Sequence, residues 1–344
     1  MTMNKTLRRT LRPGLIAVAA TAAMLCTGLA HAQFQERNVR ISMTASKDNP
    51  SGVALTKTSE CLAAKSGGKF KMRPFFEAVL GPEHANLTQV RSGSLDGALI
   101  TTAATSLAVP QLGVFDLPFL VSDYKEIDAL LDGPFGTRLA GFYGAAGLEH
   151  LAFWEHGFRN VTNSRRPIHK LEDLQGLKLR VIQNKTFIDA FTQLGANPVP
   201  MPYTEVYSAL ETKAIDGQEN PVAFLQTSKL YEVQKHVAIT RHVYSPTNFI
   251  YSKTQYDKLT ADEQKALRDC AMENRLVNRQ LGREMEVQAT AFLKAQGVTI
   301  SEPSKAELER MREKTKSVYT NQAAVLGSEL INALNAEVQK IRMP

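Results

Sequence analysis

NVRISM at residues 38–43, GVALTKTSECLAA at 52–64, FKMRPFF at 70–76, EHANLTQVR at 83–91 and LDGALIT at 95–101 make up the stretch whose reading decides the fold. The first segment alternates apolar with polar residues, a strand by its period of two. The second reads as a helix that Ser66, Gly67 and Gly68 stop. A second strand, a helix ended by Ser92 and Gly93, and a third strand follow. Strand–helix–strand–helix–strand with short glycine-rich connections predicts an α/β domain with a largely parallel sheet.

The same logic continues outward. Leu151–Trp154, Gly157–Thr162 and Leu177–Val181 read as strands. Asn184–Leu194 and Thr204–Thr212 read as helices, with the Thr204 hydroxyl placed to cap the second. Thr260–Gln296 is a long helical segment that opens on Thr260-x-x-Glu263, a capping-box pattern. Its length exceeds that of an ordinary globular helix and suits a strut lying across two domains. Ser304–Ile341 is again helical and highly charged.

Lys5, Arg8, Arg9 and Arg12 precede an apolar run from Leu15 to Ala30, and Ala30-His31-Ala32 follows. This is the pattern of a secretory signal cleaved after Ala32. The run is too short for an ordinary spanning helix. A lipid anchor on Cys26 is disfavoured, because Leu25 stands where a small residue is needed. The expected mature chain carries 37 basic and 34 acidic residues, a net charge of +3. No Lys/Arg cluster interleaves with aromatics, so nucleic acid is not indicated. The length suits two domains. Cys61 and Cys270 enter an oxidising compartment, where a bridge and two buried thiols are both open.

The chain lacks G-x-S-x-G, H-E-x-x-H, C-x-x-C and Walker patterns, so no enzyme, metal or cofactor is expected. Its mature histidines, at 84, 150, 156, 169, 236 and 242, are scattered. Three polar residues stand out. Arg180 lies at the C-terminal end of a short apolar strand, the side of an α/β sheet that faces a ligand. A guanidinium there can take a carboxylate through two parallel hydrogen bonds. Arg159 lies on a neighbouring strand segment, and Asn220 in the turn DGQENP (216–221) can both donate and accept. Spacing alone leaves a plain surface role open for each.

GLKLRVIQN (176–184), LGANPVPMP (194–202), EVYSAL (205–210) and DGQENP (216–221) together resemble the signature of TRAP-transporter substrate-binding proteins of the DctP type. GFRNVTNSRRPI (157–168), LPFL (117–120) and GSLD (93–96) match other blocks of that family, so the likeness covers essentially the whole mature chain. The resemblance implies a two-lobed α/β periplasmic binding protein with hinge strands and a long helix spanning both lobes. It implies a ligand carboxylate paired with Arg180 and assisted by Arg159 and Asn220. It also implies docking on integral membrane transporter subunits driven by a sodium or proton gradient, without ATP.

Where many members have a polar loop, this chain has FEAVLG (76–81), so Glu77 is a candidate for ligand hydroxyls. Asn184 and His242 are further ligand candidates, with Trp154, Glu155, Tyr244 and Asn248 behind them. The expected lobes are 33–156 with 246–285, and 157–245 with 286–344, each on its own sheet. One carboxylate anchor surrounded by mixed donors and acceptors suits a hexuronate or other sugar acid. A C4-dicarboxylate or keto acid would need a second cation from the first lobe, for which Lys47 is the candidate. A monomer is expected. A secreted enzyme is the reading from another class.

Overall fold

The computed structural model describes residues 1–2 and 34–343. The apolar run and cleavage site of the expected signal peptide, with Cys26, lie outside the described residues. Among the described residues no helix is long and apolar enough to cross a membrane.

Nine strands form the sheet: β1 (Arg37–Met43), β2 (Phe70–Phe75), β3 (Gly97–Thr101), β4 (Leu148–Asn163), β5 (Lys178–Val181), β6 (Asn197–Pro200), β7 (Gly217–Asn220), β8 (His236–Ser252) and β9 (Thr299–Ser301). Their order is β2-β1-β3-β8-β4-β7-β5-β6, with β9 beside β8. β1 pairs in parallel with β2 and β3, and β5 in parallel with β6 and β7. Each set is wound through helices, as parallel strands require. The two sets are the bodies of the two lobes. They meet through β4 and β8, which pair antiparallel along most of their lengths. β3 pairs with 247–251 of β8, and β7 with 160–163 of β4. One ladder therefore runs through both lobes, where two separate sheets are the sequence expectation. The physical reason is length. At 16 and 17 residues the hinge strands reach both cores and never leave the ladder.

The strut is the helix Ala261–Ala295, capped by Thr260 in a two-way box with Glu263. The Glu263 carboxylate also takes Arg37 and the Gln35 amide, which fastens the start of the described chain to the strut. Leu267 and Ala271 pack with Leu55, Leu62 and Phe70 in one core, while Ala289 and Leu293 join a different core around Val206 and Leu230. The long helix thus contributes to both lobes. Cys61 and Cys270 are bridged, with Cα atoms 5.9 Å apart. Trp154 of β4 is fully buried, and its Nε1 donates to the Ala271 carbonyl at 3.0 Å.

Local readings differ in two places. Thr204 does not cap a helix. It lies in a 3₁₀ turn (Tyr203–Glu205) that leads into Val206–Glu211, with Pro202 ahead of it. The C-terminal segment is three helices, Lys305–Lys314, Lys316–Leu326 and Ser328–Arg342. Gly327, at φ +86, supplies the break between the last two, in a region that side chains avoid.

Candidate functional site

The C-terminal ends of β1, β3, β5 and β7 converge on a cavity of about 510 Å³, within the usual range for small-molecule sites. Strand β5 supplies Arg180. Its neighbours Leu179 and Val181 anchor the strand in the core of the second lobe. The guanidinium is buried, 3% exposed, and lines the cavity. Nε and Nη2 both donate to the Met201 carbonyl, at 3.0 and 2.8 Å. No carboxylate of the described residues pairs with it. Burial pushes its pKa down to about 10, against the pull of Glu219. It remains a cation at neutral pH, desolvated and without a counter-charge.

Arg159 of β4 also lines the cavity, but its charge is already matched. Nη2 donates to Glu219 Oε1 and to the Glu219 carbonyl, both at 2.7 Å, and Nε donates to Oε2. His242 Nε2 lies 3.1 Å from the same Oε2, and its Nδ1 lies 2.8 Å from the Thr240 hydroxyl. Burial alone would raise the Glu219 pKa. The Arg159 charge and the hydrogen bonds from His242 and Arg159 outweigh it and hold the group at about 2. Burial lowers the His242 pKa, so this ring supports Glu219 from behind.

Asn220 ends β7 and reaches the cavity wall. Its Nδ2 donates to Gln218 Oε1 at 2.5 Å, and its Oδ1 lies 3.2 Å from His156 Nε2. His156 faces the same cavity, with its pKa pushed down to about 4 by burial and the Arg159 charge. Phe224 meets that ring edge-on at 5.0 Å. On the first-lobe side stands Glu83, in the first turn of the helix Glu83–Ser92. Its two oxygens accept from the Thr101 amide and hydroxyl, each at 2.8 Å. Burial raises its pKa despite these bonds.

Arg180, Arg159 and Asn220 therefore meet at one cavity, and the other three candidates do not line it. Glu77 is exposed in a left-handed turn at φ +54 and lines a neighbouring groove with Thr44 and Tyr203. The strand has ended and turned before Glu77 can point inward. Asn184 caps the helix Lys185–Gln193, and its Nδ2 donates to Ala103 O, Ser106 Oγ and Asp116 Oδ2. All its capacity is used as a clasp between segments. His242 lies behind Arg159, as above. Trp154, Tyr244 and Asn248 are buried in internal hydrogen bonds, and Glu155 faces the strut helix. Glu83 and His156 are the cavity residues that sequence reasoning missed. An acid in the first turn of a helix that follows a strand end was a readable signal for Glu83. No lining hydroxyl among the described residues is hydrogen-bonded to a histidine, so the cavity is built to hold a ligand.

Two lobes on shared hinge strands, closing on a buried cation, define a solute-binding protein. The chain belongs to the bacterial extracellular solute-binding protein family 7 (DctP), whose family model matches residues 41–325. That family consists of receptors, not enzymes. The sugar acid binding protein DctPAm of Advenella mimigardefordensis, solved with galactonate, is 39% identical with a TM-score of 0.88, covering 90% of this chain and 100% of that one. A TRAP periplasmic solute binding protein from Polaromonas, bound to D-erythronate, is 33% identical with a TM-score of 0.84, covering 88% and 99%. The 2,3-diketo-L-gulonate-binding periplasmic protein YiaO of Escherichia coli is 34% identical over 285 residues, 82% of this chain and 87% of that protein.

Proposed function

We propose that this protein is the periplasmic receptor of a TRAP transporter and binds a sugar acid by its carboxylate. One observation carries the proposal: Arg180 is a buried guanidinium in the cavity whose only protein partner is a carbonyl. A desolvated cation in that state is completed by a carboxylate from solution. Arg159 and Asn220 assist, while Glu83 and His156 offer partners for hydroxyls. Glu77 acts at the rim, and Asn184 and His242 support the wall. The relatives named above support a polyhydroxy monocarboxylate, a hexuronate or an aldonate. Lys47 is exposed and lies off the cavity wall, which weighs against a dicarboxylate.

In this reading the signal peptide is removed after Ala32. The lobes divide near residues 156, 245 and 285. The loaded monomer docks on membrane subunits driven by an ion gradient, and the protein is not an enzyme. Calorimetry and thermal shift with D-galactonate, D-glucuronate and succinate test the proposal. A ligand at 100 times its Kd stabilises by about 2.7 kcal/mol. Binding of succinate alone, or turnover of any of the three, overturns it.

A further inference from the structure

β4 slips one residue against β8 between Glu155, opposite Pro246, and Gly157, opposite Ser245. His156 is the extra residue of this bulge. Gly157 carries φ +119, which the bulge requires and a side chain would resist. The bulge sends successive side chains to opposite places. His156 goes into the ligand cavity, against Asn220. Glu155 goes to the strut helix, where it is 4% exposed.

The strut holds Glu155 by every polar group it has. Its amide donates to Asn278 Oδ1 at 2.6 Å, and its carbonyl accepts from Asn278 Nδ2 at 3.2 Å. Asn278 also donates to Ser51 Oγ at 3.1 Å, and Ser51 lines the ligand cavity. The carboxylate accepts from Arg283 Nη2 and the Tyr244 hydroxyl, each at 3.0 Å. Arg283 Nη2 also reaches Asp128 at 2.6 Å. A second, independent feature is Gly282 in mid-helix. A Cβ there would lie 3.0 Å from Glu155 Oε1, so the strut carries its glycine where the carboxylate must fit. Between bulge and strut lies a void of about 210 Å³ lined by Glu155, His156, Gly157, Pro221 and Gly282. The bulge has room to move once the contact is released.

We propose that Glu155 is a positioning residue: clamped by Asn278 and Arg283 of the strut, it holds the hinge bulge so that His156 and Asn220 face the ligand, and it sets affinity without touching the ligand. The sugar-acid reading enters only through the choice of probe. Burial raises the Glu155 pKa to about 7, with Arg283, Tyr244 and Arg279 pulling it down. The charged and titratable groups around it are Arg279 and Arg283 on the strut, Tyr244 on β8, Tyr124 and Asp128 on the helix Tyr124–Asp132, and Glu286 of the strut with Arg241. Protonation removes the negative charge that faces Arg283 and loosens the clamp. Affinity therefore falls as pH drops through 7. His156 stays neutral over this range, and any contribution from Glu83 is common to wild type and variant.

The test measures the Kd of D-galactonate at pH 6 and pH 8 for wild type, Glu155→Gln and Arg283→Met. A second arm reads the lobe-to-lobe distance in the ligand-free protein from spin labels on Lys71→Cys and Glu211→Cys. Wild type is expected to bind at least about threefold more weakly at pH 6. Glu155→Gln should be weak at both pH values, with a broadened distance distribution, and Arg283→Met should follow it. Wild-type affinity and pH dependence in Glu155→Gln, with an unchanged distribution, overturn the proposal. Where galactonate fails to bind wild type, the sugar-acid reading falls and the spin labels alone decide the clamp: a shift upholds it, and an unchanged distribution ends it.

Discussion

The cleft around Arg180 and the seam between strut and hinge are both rich in arginine, yet the two regions match that charge in opposite ways. On the seam Asp132 takes Arg275 at 2.7 Å and Arg279 at 2.7 and 2.9 Å, while Asp128 and Glu155 share Arg283. In the cleft Arg180 meets one carbonyl. Arg159 stands between these cases, facing the cavity but matched by Glu219. A paired buried charge adds little net stability over a well-packed apolar group, but it fixes geometry. An unpaired one leaves a place for a partner from outside. Matched arginines therefore mark the frame of this molecule, and the unmatched one marks the ligand.

The largest expected effect lies on the matched side. Glu219→Gln leaves Arg159 buried without a counter-charge, and breaking such a pair costs about 3–5 kcal/mol. The urea midpoint should drop clearly. An unchanged midpoint breaks the comparison, because Arg159 would then be no more committed to the frame than Arg180.

Arg180→Ala comes next and should move the other observable. Losing the charged partner of a ligand carboxylate costs about 2–5 kcal/mol, so binding weakens at least ~30-fold. The unfolding midpoint should hold, since the one protein partner lost is the Met201 carbonyl. Arg180→Lys should also bind poorly, because the planar fork is gone. Arg159→Ala should cost less binding and more stability. Retention of ligand within threefold by a folded Arg180→Ala places the anchor elsewhere.

Acid sharpens the contrast further. The folded pKa of Glu219, about 2, lies below its ordinary 4.5. A depressed carboxyl contributes stability that is complete above the unfolded value and is lost as pH falls through the folded one. The Glu219 contribution should therefore be flat from pH 8 to pH 5 and fade between about 4.5 and 2. Urea midpoints across that window, compared with those of Glu219→Gln, isolate it. Parallel curves for the two proteins would remove Glu219 as the source.

Much of the frame was legible because it is written in local chemistry. The period-two run at 38–43 became β1, and the Thr260–Glu263 box became the cap of the strut. Arg180 was legible as a strand-end cation. Asn184 was misassigned although its signal was present, since an asparagine just ahead of a helix is first a cap. His156 was not legible. Its direction is set by a slip of β4 against a strand some 90 residues later, and Gly157 alone does not announce it. The pairing of Cys61 with Cys270 was open for the same reason. Compartment permits a bridge, but only the strut lying across the helix Pro50–Lys65 brings the two Cα atoms to 5.9 Å.

The smallest prediction tests how tight the seam is. Gly282 sits inside a 35-residue helix, where glycine is about 1 kcal/mol worse than alanine. If the space beside it were free, Gly282→Ala would stabilise the protein by roughly that amount. A Cβ at this position meets Glu155 Oε1 at 3.0 Å, and that carboxylate is pinned by Arg283 and Tyr244. The contact should cancel the helix-propensity gain, leaving the unfolding midpoint unchanged or lowered. Ligand affinity should weaken by a few fold as the bulge shifts. In a Glu155→Gln background the neutral side chain yields more easily, so the same substitution should recover part of the stabilisation. A full gain in the wild-type background would mean that the strut does not press on the hinge. The seam would then be a loose set of surface ion pairs, each worth about 1 kcal/mol or less.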